Sequence, residues 1–184
     1  AAGKTPAEPS LSGPLKIYDF GPPDGPVCVD AVAVNKSSGA PGFQWVHPPQ
    51  KYMNGFRKTL DALMMDWAEI DKGRSAEMEI QVKPGQYKVI AGIGAANTMC
   101  WLNQFYRPLS AELFVNGKSV FRANGDEKER FAYMNREARE TDDLYDLYMM
   151  PMMHEVETAA DCPDGKLRIR VRAGARKVPL NYVA

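Results

Sequence analysis

An all-β chain folded as an antiparallel β-sandwich is what this sequence predicts, on three observations. Apolar and polar residues alternate with period two at Ala76, Met78, Ile80 and Val82 against Glu77, Glu79 and Gln81, and alternate again at Tyr87, Val89, Ala91 and Ile93. Turn residues bound such runs: Lys83-Pro84-Gly85-Gln86 reverses the chain between them, and Ala111, Leu113 and Val115 run into Asn116-Gly117. The pattern then recurs after Asp164-Gly165, where Leu167, Ile169 and Val171 share one side and Arg168, Arg170 and Arg172 the other. Alternation marks strands with one buried face, and glycine supplies the positive φ that tight hairpins need.

The remaining elements follow in chain order. Residues 1–14 are small, polar and proline-rich, and read as a linker or a processed N-terminus. Residues 15–184 read as a single β-sandwich domain, a length suited to one core. Residues 15–20 form a first strand stopped by Gly21-Pro22-Pro23, because proline cannot donate to a ladder. Residues 27–34 form a second. Residues 35–50, rich in Ser, Gly and Pro, read as a long surface connection that carries Trp45 and His47. Leu60, Leu63, Met64 and Trp67 recur at helical spacing, which predicts a short helix or turn before the strand at Ala76. Residues 94–108 are irregular and aromatic, residues 124–146 are highly charged, and residues 148–158 resume as a Met-rich strand. The last residues, 180–184, have strand character without a polar tail, as expected of a module cut from a longer chain.

Composition excludes several classes. Of 184 residues, 45% are hydrophobic and 25% charged, a balance that fits a packed globular chain rather than a disordered one. No apolar run is long enough for a bilayer-crossing helix, so no membrane insertion is expected. Lys plus Arg and Asp plus Glu number 23 each, leaving no global field to attract nucleic acid. Cys28, Cys100 and Cys162 are too far apart for a CxxC metal site and allow at most one internal disulfide. His47 and His154 cannot supply a three-histidine zinc centre, and HExxH, GxSxG, Walker and GxGxxG motifs are absent. The methionine pairs 64–65, 149–150 and 152–153 read as core filling.

A family resemblance rests on the order of several short elements. Tyr18-Asp19-Phe20-Gly21 is followed by Asp66-Trp67, Val82-Lys83-Pro84-Gly85-Gln86-Tyr87-Lys88-Val89, Leu113-Phe114-Val115-Asn116-Gly117, Asp164-Gly165-Lys166-Leu167 and Leu180-Asn181-Tyr182. This series, covering most of the chain, resembles the galactose-binding-like β-sandwich modules. Within that group it is most similar to malectin-like and carbohydrate-binding modules attached to bacterial polysaccharide lyases, glycosidases and pectin-type acetylesterases. The resemblance implies a jelly roll of two sheets without catalysis of its own. Residues 94–108 are longer and more aromatic than the connection expected in that pattern, and residues 124–146 are expanded.

The candidate binding residues lie in the loops. A pyranose presents an apolar face of C–H groups above a rim of hydroxyls, so its site needs an aromatic platform beside amides or guanidinium groups. Residues 94–108 hold both: Trp101 or Tyr106 as platform, with Asn97, Asn103, Gln104 and Arg107 as hydrogen-bonding partners. The alternative is a small satellite core built by Trp101 and Phe105 beneath their own loop. Trp45, with His47, is a second platform candidate, or a packed residue. Asp142, Asp143 and Asp146 are candidates for a structural calcium, as related sandwiches commonly carry, or form a solvated acidic run beside Lys128, Arg130, Arg136 and Arg139. Lys166, Arg168, Arg170 and Arg172 form a stripe suited to an acidic polysaccharide, or a solvated sheet face.

The function expected is that of a noncatalytic carbohydrate-binding module, part of a larger exported glycan-degrading protein and so extracellular or periplasmic. Its partners would be a polysaccharide or oligosaccharide and a neighbouring catalytic domain of the same chain. Two other classes stay open: an accessory domain that packs on the catalytic domain without binding sugar, and a lyase or hydrolase using Tyr, Arg or carboxylate groups.

Overall fold

The computed structural model describes residues 15–25, 27–35, 40–54, 66–94, 105–106, 109–125, 131–132 and 153–184. Those residues build an all-β sandwich with no helix among them. Strands β1 (Ile17–Phe20), β2 (Ala31–Val34), β4 (Lys51–Asn54), β5 (Asp66–Ile70), β7 (Gly85–Gly94), β12 (Met153–Cys162) and β14 (Val178–Val183) make one sheet of seven. The facing sheet has five, in the order β10 (Lys118–Asn124), β9 (Ser110–Val115), β13 (Lys166–Ala173), β6 (Ser75–Gln81), β3 (Phe43–His47). A small separate ladder joins β8 (Phe105–Tyr106) to β11 (Phe131–Ala132).

The alternation read in the sequence becomes the core. Ala76, Met78 and Ile80 of β6, Leu113 and Val115 of β9, and Leu167, Ile169 and Val171 of β13 turn inward to meet Val89, Ala91 and Ile93 of β7 and Val178 and Leu180 of β14. Ring contacts close the two lateral seams. Phe20 on β1 lies 5.5 Å from Trp45 and 6.0 Å from Phe43, both on β3. On the opposite side Phe121 of β10 lies 5.1 Å from His154 of β12.

Three expectations are corrected. The Lys83-Pro84-Gly85-Gln86 turn is not a hairpin: β6 and β7 belong to different sheets, so this connection crosses the core, as does Asp164-Gly165 between β12 and β13. The two crossings run side by side, with Val82 N–H donating to the Gly165 carbonyl at 2.9 Å. Of these three turns Asn116-Gly117 alone closes a hairpin within one sheet, both residues at positive φ (47° and 80°), as a tight two-residue turn requires. Second, the stretch predicted as a loop around Trp45 and His47 is the edge strand β3, because Phe43 and Trp45 alternate inward against β6. Third, Trp67 lies on β5, not on a helical turn; Leu60, Leu63 and Met64 lie outside the described residues.

Strands β1 and β2 pair in parallel, the one exception to antiparallel ladders among the described residues. Parallel neighbours force the intervening chain to travel back along the strand it has just left. That return segment passes over Asp19, whose Oδ2 accepts the Cys28 N–H at 2.9 Å. A second feature follows from β14. One of its edges pairs first with β5 (Leu180 opposite Ala68) and then with β1 (Tyr182 opposite Asp19), so β1 ends where β5 begins.

Candidate functional site

The outer face of the five-stranded sheet is where exposed side chains of opposite charge converge. Because β13 lies between β6 and β9, its outward residues Lys166, Arg168, Arg170 and Arg172 stand beside Glu77 and Glu79 on one side and Glu112 and Phe114 on the other. Glu79 accepts from Lys166 Nζ at 2.8 Å and Arg168 Nε at 3.2 Å, and Arg168 also reaches Asp164 at 3.0 Å. Glu112 pairs with Arg172 and accepts from Ser119 Oγ at 2.8 Å. The Lys166 hydrogen bond holds the Glu79 carboxyl below the usual range, the Ser119 hydroxyl does so for Glu112, and Arg168 does so for Asp164. The predicted basic stripe is therefore a ladder of ion pairs.

Arg170 is the member left over. Among the described residues neither Arg170 nor Glu77, which stands opposite it, forms an ion pair. The guanidinium instead lies 4.2 Å from the centroid of the Phe114 ring. Around this stack Glu77, Phe114, Asn116, Gly117, Arg168 and Arg170 line a shallow depression of about 260 Å³. Asn116 fixes its rim: the amide nitrogen donates to the Asp161 carbonyl at 2.8 Å and the amide oxygen accepts from Arg168 N–H at 2.9 Å. The depression thus offers a ring, an uncommitted guanidinium and an uncommitted carboxylate. Alternation around Phe114 was visible in the sequence, but its pairing with Arg170 depends on β9 and β13 becoming neighbours.

Of the loop residues singled out from the sequence, Asn97, Trp101, Asn103, Gln104 and Arg107 lie outside the described residues. Tyr106 is placed by its backbone on β8, opposite Phe131. Trp45 is half-buried, its ring centroid 5.2 Å from that of Phe43 in an edge-to-face contact. Two strands, β6 and β13, separate its strand from the one bearing Phe114.

A second polar site is buried. Asp19 and Asp66 are 2% and 1% exposed, and Asn181 is fully buried. These residues meet where β14 passes from β5 to β1. Asn181 Nδ2 donates to the Asp66 main-chain carbonyl at 3.1 Å, while Asp66 Oδ1 and Asn181 Oδ1 have no hydrogen-bond partner among the described residues. Gly21 and Gly25 pack against the Asp66 carboxylate so closely that a Cβ on either would overlap it. Burial, with the adjacent Asp19 charge, pushes the Asp66 carboxyl up to about 7. Asp19, Asp66 and Asn181 each belong to the series that carries the family resemblance, but nothing in the sequence brings together residues so far apart. The acidic candidates Asp142, Asp143 and Asp146 lie outside the described residues, among which no three His, Cys, Asp or Glu side chains gather as a metal site.

No family model and no curated protein matches the chain. Among solved structures, a Bacteroides uniformis β-glucuronidase superposes with a TM-score of 0.46 at 12% identity, over 84% of this chain and 15% of that one. A family 35 carbohydrate binding module from an environmental isolate superposes with a TM-score of 0.39 at 13% identity, over 78% of this chain and 85% of the module. A family GH115 4-O-methyl-α-glucuronidase with specificity for decorated arabinogalactans gives 0.39 at 12% identity, over 84% of this chain and 19% of that one. The chain thus spans less than a fifth of the length of these glucuronidases.

Proposed function

We propose that this chain is a noncatalytic carbohydrate-binding module serving a larger exported glycan-degrading protein, outside the cytoplasm and beside a catalytic domain. The observation that supports the reading is the Phe114–Arg170–Glu77 depression. A sugar ring needs an apolar surface with donors and acceptors at its edge. The planar guanidinium of Arg170, stacked over Phe114, supplies the flat surface and the donors, and Glu77 the acceptor. The loop residues Asn97, Trp101, Asn103, Tyr106 and Arg107 form a second proposed contact set for a longer chain of sugars, while Trp45, packed on Phe20 and Phe43, belongs to the wall of the sandwich.

Affinity electrophoresis on soluble plant and algal polysaccharides tests the proposal. Retardation of wild type by at least one polysaccharide, weakened tenfold or more by Phe114→Ala or Arg170→Ala with an unchanged melting temperature, supports the sheet-face site. Loss on Trp101→Ala or Tyr106→Ala alone moves the site to the loop. No retardation by any polysaccharide favours an accessory domain instead.

A further inference from the structure

Arg170 and Glu77 stand in the middle of a row that crosses the whole five-stranded sheet. Registry sets His47 of β3 opposite Glu77, Glu77 opposite Arg170, Arg170 opposite Phe114, and Phe114 opposite Ser119 of β10. Cross-strand partners share a face, so all five stand on the outside. His47 gets there through a bulge. Phe43 and Trp45 pack inward, and strict alternation would send His47 after them. Trp45 faces Met78 and His47 faces Glu77, so β3 carries one residue more than β6 at this point. The extra residue turns His47 outward beside Val46, and both are exposed.

The rows on either side are committed to ion pairs. Two residues along the strands in one direction Arg168 pairs with Glu79, and in the other Arg172 pairs with Glu112. Between them the row forms a strip whose two formal charges, Arg170 and Glu77, are directly opposed and cancel. Four strand spacings make the strip about 19 Å long, the reach of several linked sugar rings rather than one. His47 and Ser119, at its two ends, are exposed, so a chain of sugars can run past both.

We propose, resting on the glycan reading above, that the strip binds an internal segment of an uncharged polysaccharide laid across the strands, with His47 as a contact residue beyond the Phe114–Arg170–Glu77 depression. A uronate or sulfate would gain Arg170 but meet the Glu77 carboxylate one strand away. The hydroxyls of a neutral sugar satisfy both: Glu77 accepts from them, Arg170 donates to them, and a neutral imidazole at His47 does either. Val46 adds an apolar contact at that end.

The test is titration calorimetry with cello-, xylo- and manno-oligosaccharides, and with oligogalacturonates as the acidic counterpart, each as disaccharide and hexasaccharide. At least one neutral hexasaccharide should bind about tenfold or more tighter than its disaccharide, and tighter than the hexagalacturonate. His47→Ala should weaken that hexasaccharide by about three- to tenfold, the loss of one hydrogen-bonding group. It should leave disaccharide affinity and melting temperature unchanged, a split that a merely structural role for His47 would not produce. Glu77→Gln leaves Arg170 unopposed and should turn the preference toward the hexagalacturonate. Equal affinity for the two lengths, or no effect of His47→Ala on the hexasaccharide, overturns the path across the strands. A wild-type preference for the hexagalacturonate overturns the uncharged ligand. In each of those cases, loss of binding on Arg170→Ala leaves the glycan reading standing. No binding of any hexasaccharide overturns this inference, while retardation by a polysaccharide in affinity electrophoresis decides the glycan reading separately.

Discussion

The outer face of the five-stranded sheet and the junction of β1 with β5 use the same kinds of residue to opposite effect. On the face, antiparallel registry sets Arg168 opposite Glu79 and Arg172 opposite Glu112, so each of these acids meets its complement. At the junction, β1 and β5 share one edge of β14 end to end, and two acids with no complement in their ladders arrive together under a return loop. Charge type is set by the sequence. Its consequence is set by which strands become neighbours and how much water remains. The face can lose a member cheaply, while the junction is sensitive to any change of volume or charge.

The largest effect that would break this contrast is steric. Gly21→Ala drives a methyl group into the Asp66 carboxylate and should cost about 1–3 kcal/mol in urea denaturation. The same change at Gly117, where the added Cβ meets open space, is charged only for its positive φ, about 1 kcal/mol. Equal losses at the two glycines would remove the distinction.

A pH series sharpens the electrostatic half. Asp66 has a folded-state value of about 7 against an ordinary 3.8, so the folded chain holds this proton more tightly than the unfolded one. Its contribution to stability is full below about pH 4 and is lost as pH rises through about 7. Wild type should therefore lose melting temperature relative to Asp66→Asn across that window, and a flat difference would sink the assignment. The partners on the face work in the opposite sense: Glu79, Glu112 and Asp164 sit below their usual values, so what they contribute fades as pH falls toward and below the ordinary carboxylate range. Smallest of all, Arg172→Ala removes a half-exposed arginine from a buried Glu112 that keeps Ser119 and Arg122, and should cost about 0–1 kcal/mol in thermal denaturation. A larger loss would show that the ladder stabilises the sheet rather than merely solvating it.

Much of the architecture was legible because period-two alternation needs no tertiary information. Ala76, Met78 and Ile80, or Leu167, Ile169 and Val171, announce one buried face wherever their strand is placed. The hairpin at Asn116-Gly117 was legible too, since two consecutive positive φ values are a local property. Trp45 was not. Its strand is short and follows a Gly- and Pro-rich run, so only its contact with Phe20 reveals that it is part of the wall. The aromatic loop candidates drew attention by composition, whereas Phe114 looked like one more alternating residue until Arg170 was found above its ring.

By itself, then, the sequence determined the strands β6, β7, β9 and β13, their inward and outward faces and one turn type, because these depend on neighbours a few residues apart. Tertiary structure alone decided that Pro84-Gly85 and Asp164-Gly165 cross between sheets, that β13 lies between β6 and β9, and that Asp19, Asp66 and Asn181 converge. Pairing of distant strands depends on how whole faces bury together, and neither turn chemistry nor alternation encodes that choice.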